Sequence, residues 1–127
     1  MVTTKYYTVV RDRRDTMTQK TQLLKGLLEG CILKIVSSKE TYGYAICEEL
    51  NSNDFDAINE GTVYPILTRL EKKELIYSVK KVSPLGPKRK YYFITEAGQI
   101  YLNDFLEEWE GMKLKVDKIL MEVHHEE

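Results

Sequence analysis

The residues best suited to chemistry in this sequence are Thr68, Arg69 and Lys72, within GTVYPILTRLEKKELI at 61–76, and the basic run Lys88, Arg89 and Lys90. Guanidinium, ammonium and hydroxyl groups at helical spacing make no nucleophile. They do supply donors for phosphate oxygens and base edges. Residues 62–90 hold eight basic side chains and two acidic ones, a net of +6, whereas residues 96–127 hold three basic and nine acidic, a net of −6. The overall charge of −1 hides this division. The middle of the chain is suited to meeting an anion, and the tail to being kept from it.

Other chemistries find less support. No nucleophile lies near a base at motif spacing, no glycine-rich phosphate loop is present, and no carboxylates cluster as an acid and base would, so the chain is not expected to be an enzyme or to need a cofactor. Cys31 and Cys47 lack the paired spacing of a zinc site and read as reduced core residues. His124 and His125 stand in a charged tail without further ligands, so no metal is expected. With no long apolar run and no apolar core in the first residues, the expectation is a cytoplasmic protein without membrane contact.

The elements that must position these cations can be read from apolar spacing. At 127 residues and 43% hydrophobic content the chain suits one modest core. Leu23, Leu24, Leu27, Leu28, Cys31, Ile32, Ile35 and Val36 form the apolar face of a first, buried helix. Thr41 suits the cap of a short second helix, with Tyr42, Ala45, Ile46 and Leu50 on one face. NSNDFDAIN reads as a loop, and IYSVKKV and YYFI as strands around the turn SPLGPKRK. Thr95 then caps a long final helix beginning with Glu96.

Helix, helix, helix, hairpin and long helix is the order of a winged helix-turn-helix domain. The expected fold is therefore mainly α with a small β-hairpin: an extension over 1–16, the winged domain over 17–95, and a C-terminal dimerisation helix and tail over 96–127. In this architecture the third helix enters the major groove and the hairpin lies along the flanking backbone. With Val63 at the centre of a helical wheel, Ile66, Leu67 and Leu70 complete the core stripe, and Gly61, Pro65, Thr68, Arg69 and Lys72 face away. A helix starting between Asn59 and Thr62 puts Pro65 in or next to the first turn, where its missing N–H costs little. Tyr64 lies at the rim with a hydroxyl suited to phosphate. Arg69 or Lys72 alone would read as a solvated face. Their coincidence with a basic hairpin points to double-stranded DNA.

ETYGYAICEEL, GTVYPILTRLEKKELI and GPKRKYYFITEAGQIYL resemble, in order from about Leu23 to Trp109, the successive motifs of the PadR family of bacterial transcriptional regulators. The resemblance implies that Thr62, Tyr64, Pro65, Thr68 and Arg69 lie on the recognition helix, that Lys88, Arg89 and Lys90 belong to the wing, and that Tyr42, Gly43 and Tyr44 open the supporting helix. It also implies a dimeric repressor of a palindromic operator. Glu74 departs from the pattern, which usually has glycine there, and needs a different or strained cap at the end of the recognition helix.

Dimerisation has separate support. Leu102, Phe105, Trp109, Met112, Val116, Ile119 and Val123 alternate spacings of three and four, a heptad stripe too long for a small domain to cover. Leu106, Leu114 and Leu120 flank it and could meet the first helix. A two-fold dimer would set two recognition helices roughly 34 Å apart, one turn of DNA. In drug-sensing relatives that the chain resembles, a tryptophan at the position of Trp109 stacks on flat aromatic effectors at the dimer interface; ordinary interface packing is the plainer alternative. KYYTVV and RDRRD give no confident element and read as a flexible lead. The rival function is a winged-helix module docking on proteins, which would need no basic wing. Replacing Arg69 by Ala should separate the two, lowering only operator affinity.

Overall fold

The computed structural model describes residues 19–55, 57–82 and 86–121. Expectations for KYYTVV, RDRRD, the tip of the hairpin at 83–85, Val123, His124 and His125 lie outside them. The elements are α1 (Gln19–Ser38), β1 (Thr41–Tyr42), α2 (Gly43–Ser52), α3 (Glu60–Lys72), β2 (Ile76–Lys81), β3 (Arg89–Ile94) and α4 (Glu96–Met121). The winged architecture is present, with one strand more than the hairpin: the antiparallel sheet has the order β1-β3-β2.

That extra strand corrects the reading of Thr41. Thr41 pairs with Tyr92 of β3 and is buried, while Tyr42 stands at the N-cap of α2 without a side-chain cap bond. Threonine fits both roles, and the free edge of β3 claims it here. Tyr42 is consequently off the α2 face, which buries Gly43, Ile46, Cys47 and Leu50 instead.

The core is built on α1, which touches α2, α3, α4 and β3. Ile32, Leu33, Ile46, Val63, Leu67, Leu70, Ile76 and Leu102 are its most completely buried side chains. Leu33 lies outside the expected stripe, because a helix surrounded by neighbours buries more than one face. Leu23, expected inside, is 73% exposed, while Leu24 beside it packs against the core.

Three local devices fix α3. Asn51 of α2 donates from Nδ2 to the Ile58 carbonyl at 2.8 Å and accepts the Ile58 N–H at 2.9 Å, latching the loop. Asn59 caps the helix, its Oδ1 accepting the Thr62 N–H at 3.2 Å. At the far end the Leu75 N–H reaches the Leu70 carbonyl and the Glu74 N–H reaches that of Glu71, the paired bonds of a Schellman motif. Glu74 holds the left-handed position with φ 62°. Of the two options open for this residue, the chain keeps the glycine-type geometry and bears its strain.

The next joint is equally close. Thr95 caps α4, its Oγ1 accepting the Gly98 N–H at 2.9 Å, and its own N–H bonds the Leu75 carbonyl at 3.0 Å. Gly98 lies directly on that carbonyl, and a Cβ there would overlap it. Leu75 at the end of α3 is thereby fastened to the start of α4.

Candidate nucleic-acid interface

α3 separates its faces cleanly: Val63, Ile66, Leu67 and Leu70 are buried, and Gly61, Thr62, Tyr64, Pro65, Thr68, Arg69 and Lys72 are exposed. The helix starts at Glu60, so Pro65 is its sixth residue. This puts it in the second turn, not the first, and the Gly61 carbonyl loses its helical partner. Gly61 has no side chain to crowd the ring, and the freed acceptor faces outward with it. The proline therefore costs more than its expected place implied, but at an exposed site where water can serve the carbonyl.

The front of α3 meets the wing around a cleft of about 460 Å³ lined by Tyr42, Tyr44, Glu60, Tyr64, Lys80, Lys88, Arg89 and Lys90. The structure thus brings together three expected tyrosines and all three wing cations. The Arg89 guanidinium lies 4.3 Å from the centre of the Tyr42 ring, which in turn meets Tyr91 edge-on at 5.4 Å. This stacking holds the guanidinium plane while leaving N–H groups at its edge for phosphate. Tyr64 packs over Gly43, where any Cβ would overlap its ring and hydroxyl.

Two phenols of the cleft have raised pKa values. Glu48 beside Tyr44 raises that phenol's pKa, and burial followed by Glu60 raises that of Tyr64. Burial pushes Tyr92, beneath the sheet, up to about 12. Neutral hydroxyls can donate to phosphate, which phenolates cannot.

Lys80 and Glu60 were not anticipated in this cleft. Lys80 pairs across the ladder with Lys90, so the hairpin register puts both on the face toward α3. That alternation was available in the sequence once Lys90 was assigned. Lys90 is also 3.9 Å from Glu71, whose other oxygen accepts the Ser78 hydroxyl at 2.7 Å, while Lys81 pairs with Glu40. Among the described residues Lys72, Lys80 and Lys88 have no acidic partner.

Thr68, Arg69 and Lys72 lie further along α3, outside the cleft. Arg69 is exposed on this face, and its Nε is also 3.5 Å from Glu29 of α1, so the side chain leans toward the helix layer. Lys72, facing solvent, is the cleaner probe of this surface.

The heptad stripe is divided between two uses. Leu102, expected at a dimer interface, is 1% exposed and belongs to the chain's own core. Phe105, half-buried, rests on Gly30 of α1, where a Cβ would overlap its ring. Helical periodicity reports burial and is silent about which partner covers the residue. Beyond this point Trp109, Met112, Val116 and Ile119 are exposed, and Leu106, Leu114 and Leu120 are exposed with them instead of packing on α1. The Lys113 ammonium lies 5.7 Å from the Trp109 ring centre.

Comparison with known proteins agrees with this geometry. The family described as "Transcriptional regulator PadR-like family" matches residues 32–104. A PadR-like transcriptional regulator from Bacillus cereus of known structure is 46% identical, with 78% of this chain and 96% of that one covered and a TM-score of 0.70. A Streptococcus transcriptional regulator is 42% identical over 78% and 97% of the two chains, also with a TM-score of 0.70. An uncharacterised protein of Lysinibacillus sphaericus is 37% identical over 100 residues, 77% of this chain and 92% of that protein.

Proposed function

We propose, on the premise that this chain belongs to the PadR-like family of transcriptional regulators, that it binds a palindromic operator as a homodimer and represses from it. The family's members are regulators and not enzymes. One observation supports the reading above others: the front of α3, through Glu60 and Tyr64, and the basic wing meet around a single cleft, with the rest of the exposed face of α3 continuing from it. Thr62, Tyr64, Pro65 and Thr68 would face the major groove, with Arg69 and Lys72 at its rim within reach of phosphate. Lys88, Arg89 and Lys90, with Tyr42 and Tyr44, would hold the adjoining backbone.

The exposed half of α4 supports pairing with a second chain through Trp109, Met112, Val116 and Ile119, a stripe with Lys113 and acidic residues at its margins. A small aromatic effector would stack on Trp109 near the two-fold axis after displacing Lys113. It would act only by binding the DNA-competent and incompetent dimers unequally. No described helix is long and apolar enough to cross a membrane, and the proposed place of action is the cytoplasm, where the operator is.

The test is a mobility shift on DNA from upstream of the protein's own gene, across a salt series. The expected result is a sequence-specific complex of two chains weakening with salt. Lys72→Ala and Lys88→Ala should each flatten the slope of log K against log salt by about 0.9, the share of one neutralised phosphate. No binding at low salt by a folded dimer would refute this reading and favour a protein-docking module. Saturable quenching of Trp109 fluorescence by planar cationic dyes would support the effector site, and its absence would remove it.

A further inference from the structure

The end of α3 nearest α4 carries two cations four residues apart, Arg69 in the last turn and Lys73 at the C-cap. Between them stands a single carboxylate from another helix. Glu29 of α1 places Oε2 at 3.5 Å from both Arg69 Nε and Lys73 Nζ, and its Oε1 accepts the Tyr101 hydroxyl of α4 at 3.2 Å. The Lys73 ammonium also lies 5.6 Å from the Tyr101 ring centre. The Glu29 side chain is only 15% exposed, whereas Arg69 and Lys73 are 48% and 45% exposed. The anion is thus sheltered and fixed from α4, while the two cations remain half-exposed on this flank of α3.

A carboxylate held this way resembles a phosphate oxygen pair. DNA approaching α3 must take Arg69 and Lys73 from a partner already in place. We propose that Glu29 is an internal competitor for DNA phosphate: it sets the affinity of the interface without touching DNA, by withholding the cations on this flank. The inference rests on the DNA-binding reading above. Because Arg69 and Lys73 would meet phosphate, the effect is the same for every DNA sequence. An isolated surface ion pair would compete weakly. Here one sheltered acid faces two cations whose mutual repulsion it also relieves.

The experiment compares wild type, Glu29→Gln, Lys73→Gln and the double variant in anisotropy titrations of a random-sequence duplex and the protein's own upstream DNA, across a salt series, with thermal melts of each. Glu29→Gln should bind both DNAs several-fold more tightly at low salt, its salt slope steepening by about 0.9 for each phosphate newly engaged. Lys73→Gln should flatten the wild-type slope by less than about 0.45, yet flatten the Glu29→Gln slope by roughly 0.9. Unchanged or weaker binding by Glu29→Gln with a wild-type melt would overturn the inference and leave the DNA-binding reading intact. A slope flattened by about 0.9 in the Lys73→Gln single variant would also overturn it, and that comparison stands if Glu29→Gln fails to fold. Failure of the wild type to bind either DNA at low salt removes both.

Discussion

Replacing Glu74 by glycine should make this protein more stable. Glu74 closes α3 at φ 62°, where a Cβ costs about 1–2 kcal/mol, and glycine removes that strain while losing about 0.5–1 kcal/mol through its freer unfolded chain. The carboxylate also stands at the negative end of the helix dipole, and its removal adds about 0.3 kcal/mol or more. The net gain is about 1 kcal/mol. At ~2.1 cal/mol/K per residue the unfolding entropy of a chain this size is roughly 0.27 kcal/mol/K, so Tm should rise by about 4 °C. Thermal melts by circular dichroism at one fixed protein concentration provide the assay, with Glu74→Gln and Glu74→Asn as controls. Gln removes only the charge, and Asn tolerates the left-handed region. The expected order is Gly above Asn above Gln. A glycine variant no more stable than the glutamine variant would refute the strain argument and leave only the charge effect.

Gly98→Ala should destabilise by about 3 kcal/mol or more, beyond ordinary overpacking, because the new methyl meets the Leu75 carbonyl and not a movable side chain; chemical denaturation reads this directly. Asn51→Ala removes both bonds that latch Ile58 and should cost about 2 kcal/mol of stability, with faster amide exchange at the start of α3 than elsewhere. Tyr92 has its pKa raised on folding, so its contribution to stability is complete below the unfolded value of about 10 and is lost as pH rises through about 12. Denaturation midpoints should fall across that window, and Tyr92→Phe should flatten the fall.

The recognition helix was legible because one short stretch carries a full apolar stripe, Val63, Ile66, Leu67 and Leu70, with cations on the other side. The strained cap at Glu74 was legible for a different reason: a bulky residue stood where the resemblance expects glycine. β1 was not, since two residues have no periodicity and Thr41 suits a cap as well as a strand. Leu102 and Phe105 continue the spacing of Trp109 and Met112 without a break, so their burial in the chain's own fold had no local signal. The pairing of Arg69 with Glu29 joins residues 40 positions apart, and no spacing rule reaches that far. Sequence periodicity marks which side of a helix is covered; tertiary contact decides by what.

The contact of Phe105 with Gly30 makes α4 a lever. The domain holds the helix at this fulcrum, and the arm from Leu106 to Met121, whose large apolar side chains are exposed among the described residues, is roughly 24 Å long at ~1.5 Å per residue. A tilt of about 5° at the fulcrum moves the far end by roughly 2 Å over that length. If two such arms are joined at their ends, the same tilt moves the heads apart or together by a comparable amount. Substitutions at Gly30 would then change the distance between two bound half-sites without altering any residue that reads them.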